Sequence, residues 1–185
     1  MRKDFGCKPL LFPMPVLVIA AYGEGDVPCA MTAAWGSISS ADKISMCLTP
    51  SHKTVKNILE RKAFTVSMAD AEHVAEADYL GMASGNDVKD KVARTGLHLY
   101  KSEKVDAPLI EEFKMALECE LLSYDVDSHI MVGRIVNVCA DESILNTDGN
   151  IDPAKLNPIT FDPANNKYLE LGQIAGDAFS HGNDF

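Results

Sequence analysis

Two short runs hold the side chains best suited to ligand chemistry: Ala30-Met31-Thr32-Ala33-Ala34-Trp35-Gly36 and, further along, Ser51-His52-Lys53-Thr54. The first is a strand-like run of small residues ending in the only tryptophan. Small side chains let a flat molecule lie close to the backbone, where N–H and C=O groups read its edge. Thr32 adds a hydroxyl for a ring heteroatom. The second run opens a helix with the hydroxyls of Ser51 and Thr54 around Lys53. A helix start presents unpaired N–H groups and a partial positive charge, and a lysine with hydroxyls completes a replacement for the hydration of a phosphate dianion. Together the runs suit a planar molecule with a phosphate tail. Each also has a plainer reading: residues 32–35 as a core strand with a buried tryptophan, and residues 51–54 as a capped helix start with a solvated lysine.

Flavin mononucleotide (FMN) meets that description, and three motifs in this order carry a family resemblance: Thr32-Ala33-Ala34-Trp35, Ser51-x-x-Thr54-x-x-Asn57 and Asp127-Ser128-His129-x-x-x-Gly133. From about Pro15 to near the C-terminus the chain resembles the flavin reductase-like family, in particular its flavoredoxin branch. The resemblance implies an FMN-binding split β-barrel, mainly β with short helices, and a homodimer whose interface completes the flavin pocket. It implies that residues 32–35 lie along the isoalloxazine edge. Lys91, after Ser84-Gly85 and Asp90, would reach the ring from a flanking loop. A cation there stabilises the charge that reduction places near N1 and O2. His129 would face the flavin or the nicotinamide pocket as the catalytic residue. On residue type alone, Lys89 and Lys91 also read as a solvated turn, and His129 as a partly exposed strand-end residue.

Some positions depart from the family pattern. Cys29 stands where an asparagine is frequent, and Ser37 and Ile38 follow Trp35-Gly36 in place of other small or polar residues. Tyr168 and Phe179 are candidates to cover the open face of the ring. The activity implied is oxidoreduction, with electrons passing from NAD(P)H or a redox protein through FMN to an acceptor. No nicotinamide fingerprint separates a reductase from an electron carrier. A non-catalytic split-barrel ligand-binding protein without flavin is the alternative from a different class, and Ser51, Lys53 and Thr54 argue against it.

Several elements must position these residues. Residues 16–22 and 29–35 flank the turn-rich Gly23-Glu24-Gly25-Asp26-Val27-Pro28 and read as a hairpin. Residues 44–49 form a strand stopped by Pro50, and Ser51 caps a helix with Val55, Ile58 and Leu59 at helical spacing. Residues 64–68 alternate as a strand, residues 72–80 form a helix ended by Gly81, and residues 90–93 a short helix or turn. Residues 115–124 and 130–139 form a second, longer hairpin, with a short strand near 168–171. Many strands among short helices favour a small barrel over a doubly wound sheet. No Gly-x-Gly-x-x-Gly follows a strand.

The chain of 185 residues reads as a single domain over residues 1–185, without repeat or low-complexity segment. Its 27 acidic and 17 basic residues give a net charge of −10, which repels phosphodiester backbones and argues against nucleic acid. The same field opposes a bound phosphate unless Lys53 and Lys91 reverse it locally. The five cysteines show neither an even framework nor a Cys-x-x-Cys pair, which points to a reducing cytoplasm. His52, His73, His98 and His181 lack paired ligand spacing, so no metal is expected. The start imitates a secretory signal, but Asp4 and Pro9, Pro13 and Pro15 interrupt it, and residues 16–22 read better as a first strand. No stretch approaches the ~18 apolar residues of a membrane span.

Overall fold

The computed structural model describes residues 1–179. His181, one of the histidines without ligand spacing, lies outside the described residues. Seven antiparallel strands form the main sheet: β2 (Leu17–Tyr22), β3 (Pro28–Ala33), β4 (Gly36–Ser40), β5 (Lys43–Cys47), β6 (Ala63–Met68), β9 (Met115–Asp125) and β10 (Ile130–Ala140), in the order β3-β2-β6-β9-β10-β5-β4. A small sheet joins β1 (Met14–Pro15), β11 (Ile159–Asp162) and β12 (Lys167–Glu170), and β7 (Leu99–Lys101) pairs with β8 (Pro108–Ile110). The helices are short: α1 (Lys53–Arg61), α2 (Val74–Met82), α3 (Lys91–Arg94) and α4 (Pro153–Leu156).

The curl of the sheet follows from its connectivity. Strands β3 and β4 occupy opposite edges, yet only Ala34 and Trp35 separate them in the chain. From Ala33 to Gly36 an extended chain spans at most about 11 Å. The two edges must therefore approach each other, which bends seven strands into a half-barrel. Register shifts between Val132 and Gly133 and between Ile135 and Asn137 bend β10 in support of this. At the seam, a Cβ on Gly36 would lie 2.7 Å from Leu17 Cδ1 and 2.9 Å from Met46 Cγ, so the edge strand closes only with glycine there. The mainly β split-barrel architecture matches the expectation.

Strand β2 explains its own apolar run. Leu17, Ile19 and Ala21 enter the barrel core with Phe64, Val66, Leu117, Cys119 and Met131, and α1 plugs this core with Val55 and Ile58. Val16, Val18 and Ala20 face a second core built with Ala77 and Leu80 of α2, Val92 of α3, Ile110 and Phe113. A strand buried on both faces reads as continuous hydrophobicity rather than alternation. Its neighbour β3 divides in the same way, with Met31 and Ala33 toward the barrel and Ala30 toward α2.

The structure corrects several expected boundaries. Helix α1 begins at Lys53 with His52 as its N-cap, not Ser51, and no side chain caps it. Helix α2 runs from Val74 to Met82, so Gly81 lies inside it. Strand β3 stops at Ala33 because the chain turns to cross the seam, and Trp35 is 52% exposed rather than buried. Strand β4 carries no apolar alternation because four of its five residues are exposed. Tyr168 packs behind α2 and donates to Asp78 Oδ1 at 2.8 Å, so it covers no ligand face. Burial and the Asp78 carboxylate push its phenol up to about 12. Phe179 is fully exposed. Among the described residues no helix is long and apolar enough to cross a membrane, and no cluster of three His, Cys, Asp or Glu residues is placed to hold a metal ion.

Candidate functional site

Helix α1 starts with its N–H groups open. The His52 side chain makes no capping bond, no acidic residue stands in the first turn, and Lys56 N–H is the first to find a carbonyl, that of His52 at 3.2 Å. The N–H groups of residues 53–55 thus point out of the helix start with its positive dipole end. Strand β3 packs beside it: the Cys29 thiol and the Thr54 hydroxyl lie 3.3 Å apart, and both residues are buried. Residues 84–87 fold across this junction, held by Asn86 Nδ2 donating to the Ser51 carbonyl at 3.1 Å and by Lys56 Nζ donating to Asn86 Oδ1 at 3.3 Å. A Cβ on Gly85 would lie 2.7 Å from Cys29 Sγ and 3.1 Å from Lys53 Cβ, so the loop approaches this closely only through glycine. Asn57, the third residue of its motif, turns away from the junction and is buried beside Gly23.

Between these elements lies a cavity of about 130 Å³, lined by Met31, Thr32, His52, Lys53, Thr54 and Lys91 with residues 80–85. No carboxylate lines it, although the chain carries a net charge of −10. Lys53 takes part in none of the ion pairs among the described residues. Two lysines, a hydroxyl and free helix N–H groups without an opposing acid form a donor set that fits a phosphate.

Lys91 differs from its plainer sequence reading as a solvated turn residue. It is 3% exposed, and Nζ donates to the carbonyls of Leu80 at 3.0 Å and Ala83 at 2.7 Å. It is not a solvated residue; it ties the end of α2 to α3 and contributes one wall of the cavity. Burial lowers its pKa, with the Cys29 thiol acting the other way. Thr32 is engaged too: its hydroxyl donates to the Ala77 carbonyl at 2.5 Å, leaving lone pairs rather than a proton for a ligand.

A second cavity, an apolar groove of about 840 Å³, opens at the seam. Ala34, Trp35 and Gly36 line it with Leu17, Met68 and Leu117, and Lys8, Pro9, Leu10, Leu11 and Pro13 form its outer wall. The run 32–35 therefore links two unlike spaces, with Thr32 in the basic cavity and Ala34 and Trp35 in the apolar groove. Ala33 points into the barrel core instead, and Ser51 is exposed beside the helix start. His129 lines neither cavity. It sits in the β9–β10 turn at φ 61°, where its carbonyl accepts from Leu48 N–H at 2.8 Å. Tyr124 donates to the Leu48 carbonyl at 2.7 Å, so this hairpin fixes the chain just before the helix start. Sequence reading missed His52 as a lining residue, although it stands inside the Ser51–Thr54 run, and missed the Cys29–Thr54 contact, which joins residues 25 apart.

Lys91→Met keeps the stem of the side chain and removes the donors, leaving two buried carbonyls unpaired. Urea unfolding should show a loss of about 1–3 kcal/mol. A change within about 0.5 kcal/mol, as for a solvated surface lysine, would contradict the tie.

With this geometry in hand, residues 10–155 match the family described as "Flavin reductase like domain". The solved flavoredoxin of Desulfovibrio vulgaris (Miyazaki F) is 36% identical and superposes with a TM-score of 0.94 over 98% of this chain and 100% of its own. The flavoredoxin from Methanosarcina acetivorans is 25% identical, with a TM-score of 0.88 over 100% of this chain and 99% of its own. An uncharacterized protein of Aeropyrum pernix is 30% identical over 114 residues, 61% of this chain and 43% of that protein. The chain spans about half the length of the curated relatives it matches. The family match over most of the chain and the fold shared end to end with two flavoredoxins agree with the motifs at the seam and the helix start: the chain belongs to the flavin reductase-like domain family, in its flavoredoxin branch.

Proposed function

We propose that the protein is an FMN-binding oxidoreductase that passes electrons from NAD(P)H or a redox protein to an acceptor. The observation that carries this reading is the carboxylate-free basic cavity joined through residues 32–35 to an apolar groove. When bound, FMN supplies a ring that accepts hydride or electrons and passes them on. Lys53 and the N–H groups of residues 53–55 hold the phosphate. The Cys29 thiol and the Thr54 hydroxyl share a contact in which either can donate, so the Thr54 hydroxyl proton is able to turn to the same oxygen set. The backbone of residues 32–35 runs along the ring edge, and Lys91 keeps the wall beside it rigid and positive. The apolar lining of the groove gives little hold to water on the side where electrons arrive. Its sole charged lining residue is Lys8. That favours a redox-protein donor over a dinucleotide, whose diphosphate calls for cations.

Protein that is yellow as purified and bleaches on reduction supports this reading; colourless protein that binds no added FMN supports the ligand-binding barrel without flavin. Anaerobic titration with NADH and NADPH, followed by flavin absorbance, separates reductase from carrier.

Lys53→Glu should weaken FMN by roughly ten- to a hundredfold, the worth of one charge-assisted contact, and leave riboflavin nearly unchanged. Equal losses for both flavins in a fluorescence-quenching titration would remove Lys53 from the phosphate site.

His129 is proposed to orient the electron donor from the hairpin tip. His129→Ala should leave FMN affinity intact and slow reduction in stopped flow by at least about tenfold, or ~1.4 kcal/mol of barrier. Unchanged rates with flavin bound would make His129 a structural residue.

The groove is bordered by Leu11, Trp35 and Ile38, each more than half exposed. A second copy covering this face would bury them and complete the pocket. Sedimentation of the holoprotein should give a dimer; a monomer that retains FMN tightly would contradict that assembly.

A further inference from the structure

His52 is the one lining residue of the basic cavity whose charge can change near neutral pH. It stands at the N-cap of α1 without a capping bond. The charged groups on the elements around it are Lys53, Lys56, Glu60 and Arg61 on α1, Lys91 and Arg94 on α3 and Asp87 on the loop that folds across, with the ionisable Cys29 on β3. Of these, the Lys91 ammonium acts directly on the imidazole. His52 is exposed at the edge of the cavity; the partial loss of solvent there, and then Lys91, pull its pKa below the ordinary 6.5, so the ring is mostly neutral at pH 7 in the free protein. Two lysines already line this space with no acid to balance them. A third positive charge is unfavourable there until an anion arrives.

The geometry points to His52 as a proton-supplied third cation of this cavity: entry of a phosphomonoester dianion draws a proton from solvent onto the imidazole, so that binding and proton uptake are one event. The inference rests on the reading that the cavity takes the phosphate of FMN. The proton balance is simple. Above pH ~7 the phosphate, with a second pKa near 6, is already a dianion and neither gains nor loses a proton. The one proton taken up therefore belongs to the protein. The direction of the pH effect follows. A group neutral in the free state and protonated in the complex makes binding tighter as pH falls between its free and bound pKa values, by up to about tenfold per pH unit. A neutral ligand such as riboflavin raises no such demand.

The experiment is FMN and riboflavin titration between about pH 7 and 8.5, in wild type and His52→Gln, where the phosphate itself is silent. Isothermal calorimetry at pH ~7 in phosphate-free buffers of different ionisation enthalpy accompanies it and counts protons. Wild type should bind FMN roughly three- to tenfold more tightly per unit of falling pH and take up a fraction of a proton approaching one. Riboflavin should show a flat profile. His52→Gln should flatten the FMN profile, abolish the buffer dependence, and converge on wild type at the alkaline end, where His52 is neutral in both states. FMN binding with the same slope in His52→Gln would assign the proton to Lys91 or Cys29 and overturn the inference, as would a flat wild-type profile, while leaving the flavin reading intact. Wild type that binds neither flavin at any pH would overturn both.

Discussion

The distance between Ala33 and Gly36 is the constraint on which the rest of this structure depends. Two residues connect strands that occupy opposite edges of a seven-stranded sheet, so the sheet has no choice but to curl. Curling places the end of β3 against the barrel mouth, exposes Trp35 at the seam, and leaves an apolar groove on one side of it. On the other side, small residues let α1 and α2 approach β3 closely enough for Thr32 to reach Ala77 and for Cys29 to reach Thr54. The two spaces that a phosphorylated planar molecule requires, one basic and one apolar, are thus consequences of how one edge of the sheet meets the other.

Electrostatics imposes the second condition. A chain with a net charge of −10 repels a dianion over most of its surface, and a Debye length of about 8 Å at physiological salt leaves the decision to local groups. Local inversion is achieved here by omission as much as by placement. No carboxylate lines the cavity at the start of α1, and the acids of the chain are spent elsewhere, as in the Asp26 and Asp106 pairs with Arg61. Lys91 contributes a charge that cannot move away, because its ammonium is held by two helix-end carbonyls. Rigidity of this kind lowers the ordering cost of binding.

Much of this was legible in the sequence, and the remainder was hidden for identifiable reasons. Strands β2, β6, β9 and β10 announce themselves through apolar runs and alternation because they are buried on one or both faces. Strand β4 does not, since Gly36-Ser37-Ile38-Ser39-Ser40 is an exposed edge selected for fit at the seam rather than for hydrophobicity. The Ser51–Thr54 run located the start of α1 but not its cap, because the N-cap is His52 and its side chain makes no capping bond. Lys91 read equally as a lysine reaching the ring or as a solvated one next to Lys89 and Asp90, and only the end of α2 folding back over it, eleven residues away at Leu80, makes it a buried tie. No local pattern carries a contact of that range.

A crystal structure of the FMN complex tests the central claim most directly. The account predicts the phosphate in the cavity between α1, β3 and residues 80–85, with its oxygens about 2.7–3.1 Å from Lys53 Nζ, Thr54 Oγ1 and the N–H groups of residues 53–55. The ring should then lie along residues 32–35 toward Trp35 and the groove. A phosphate bound away from the start of α1, with Lys53 turned to solvent, would contradict it.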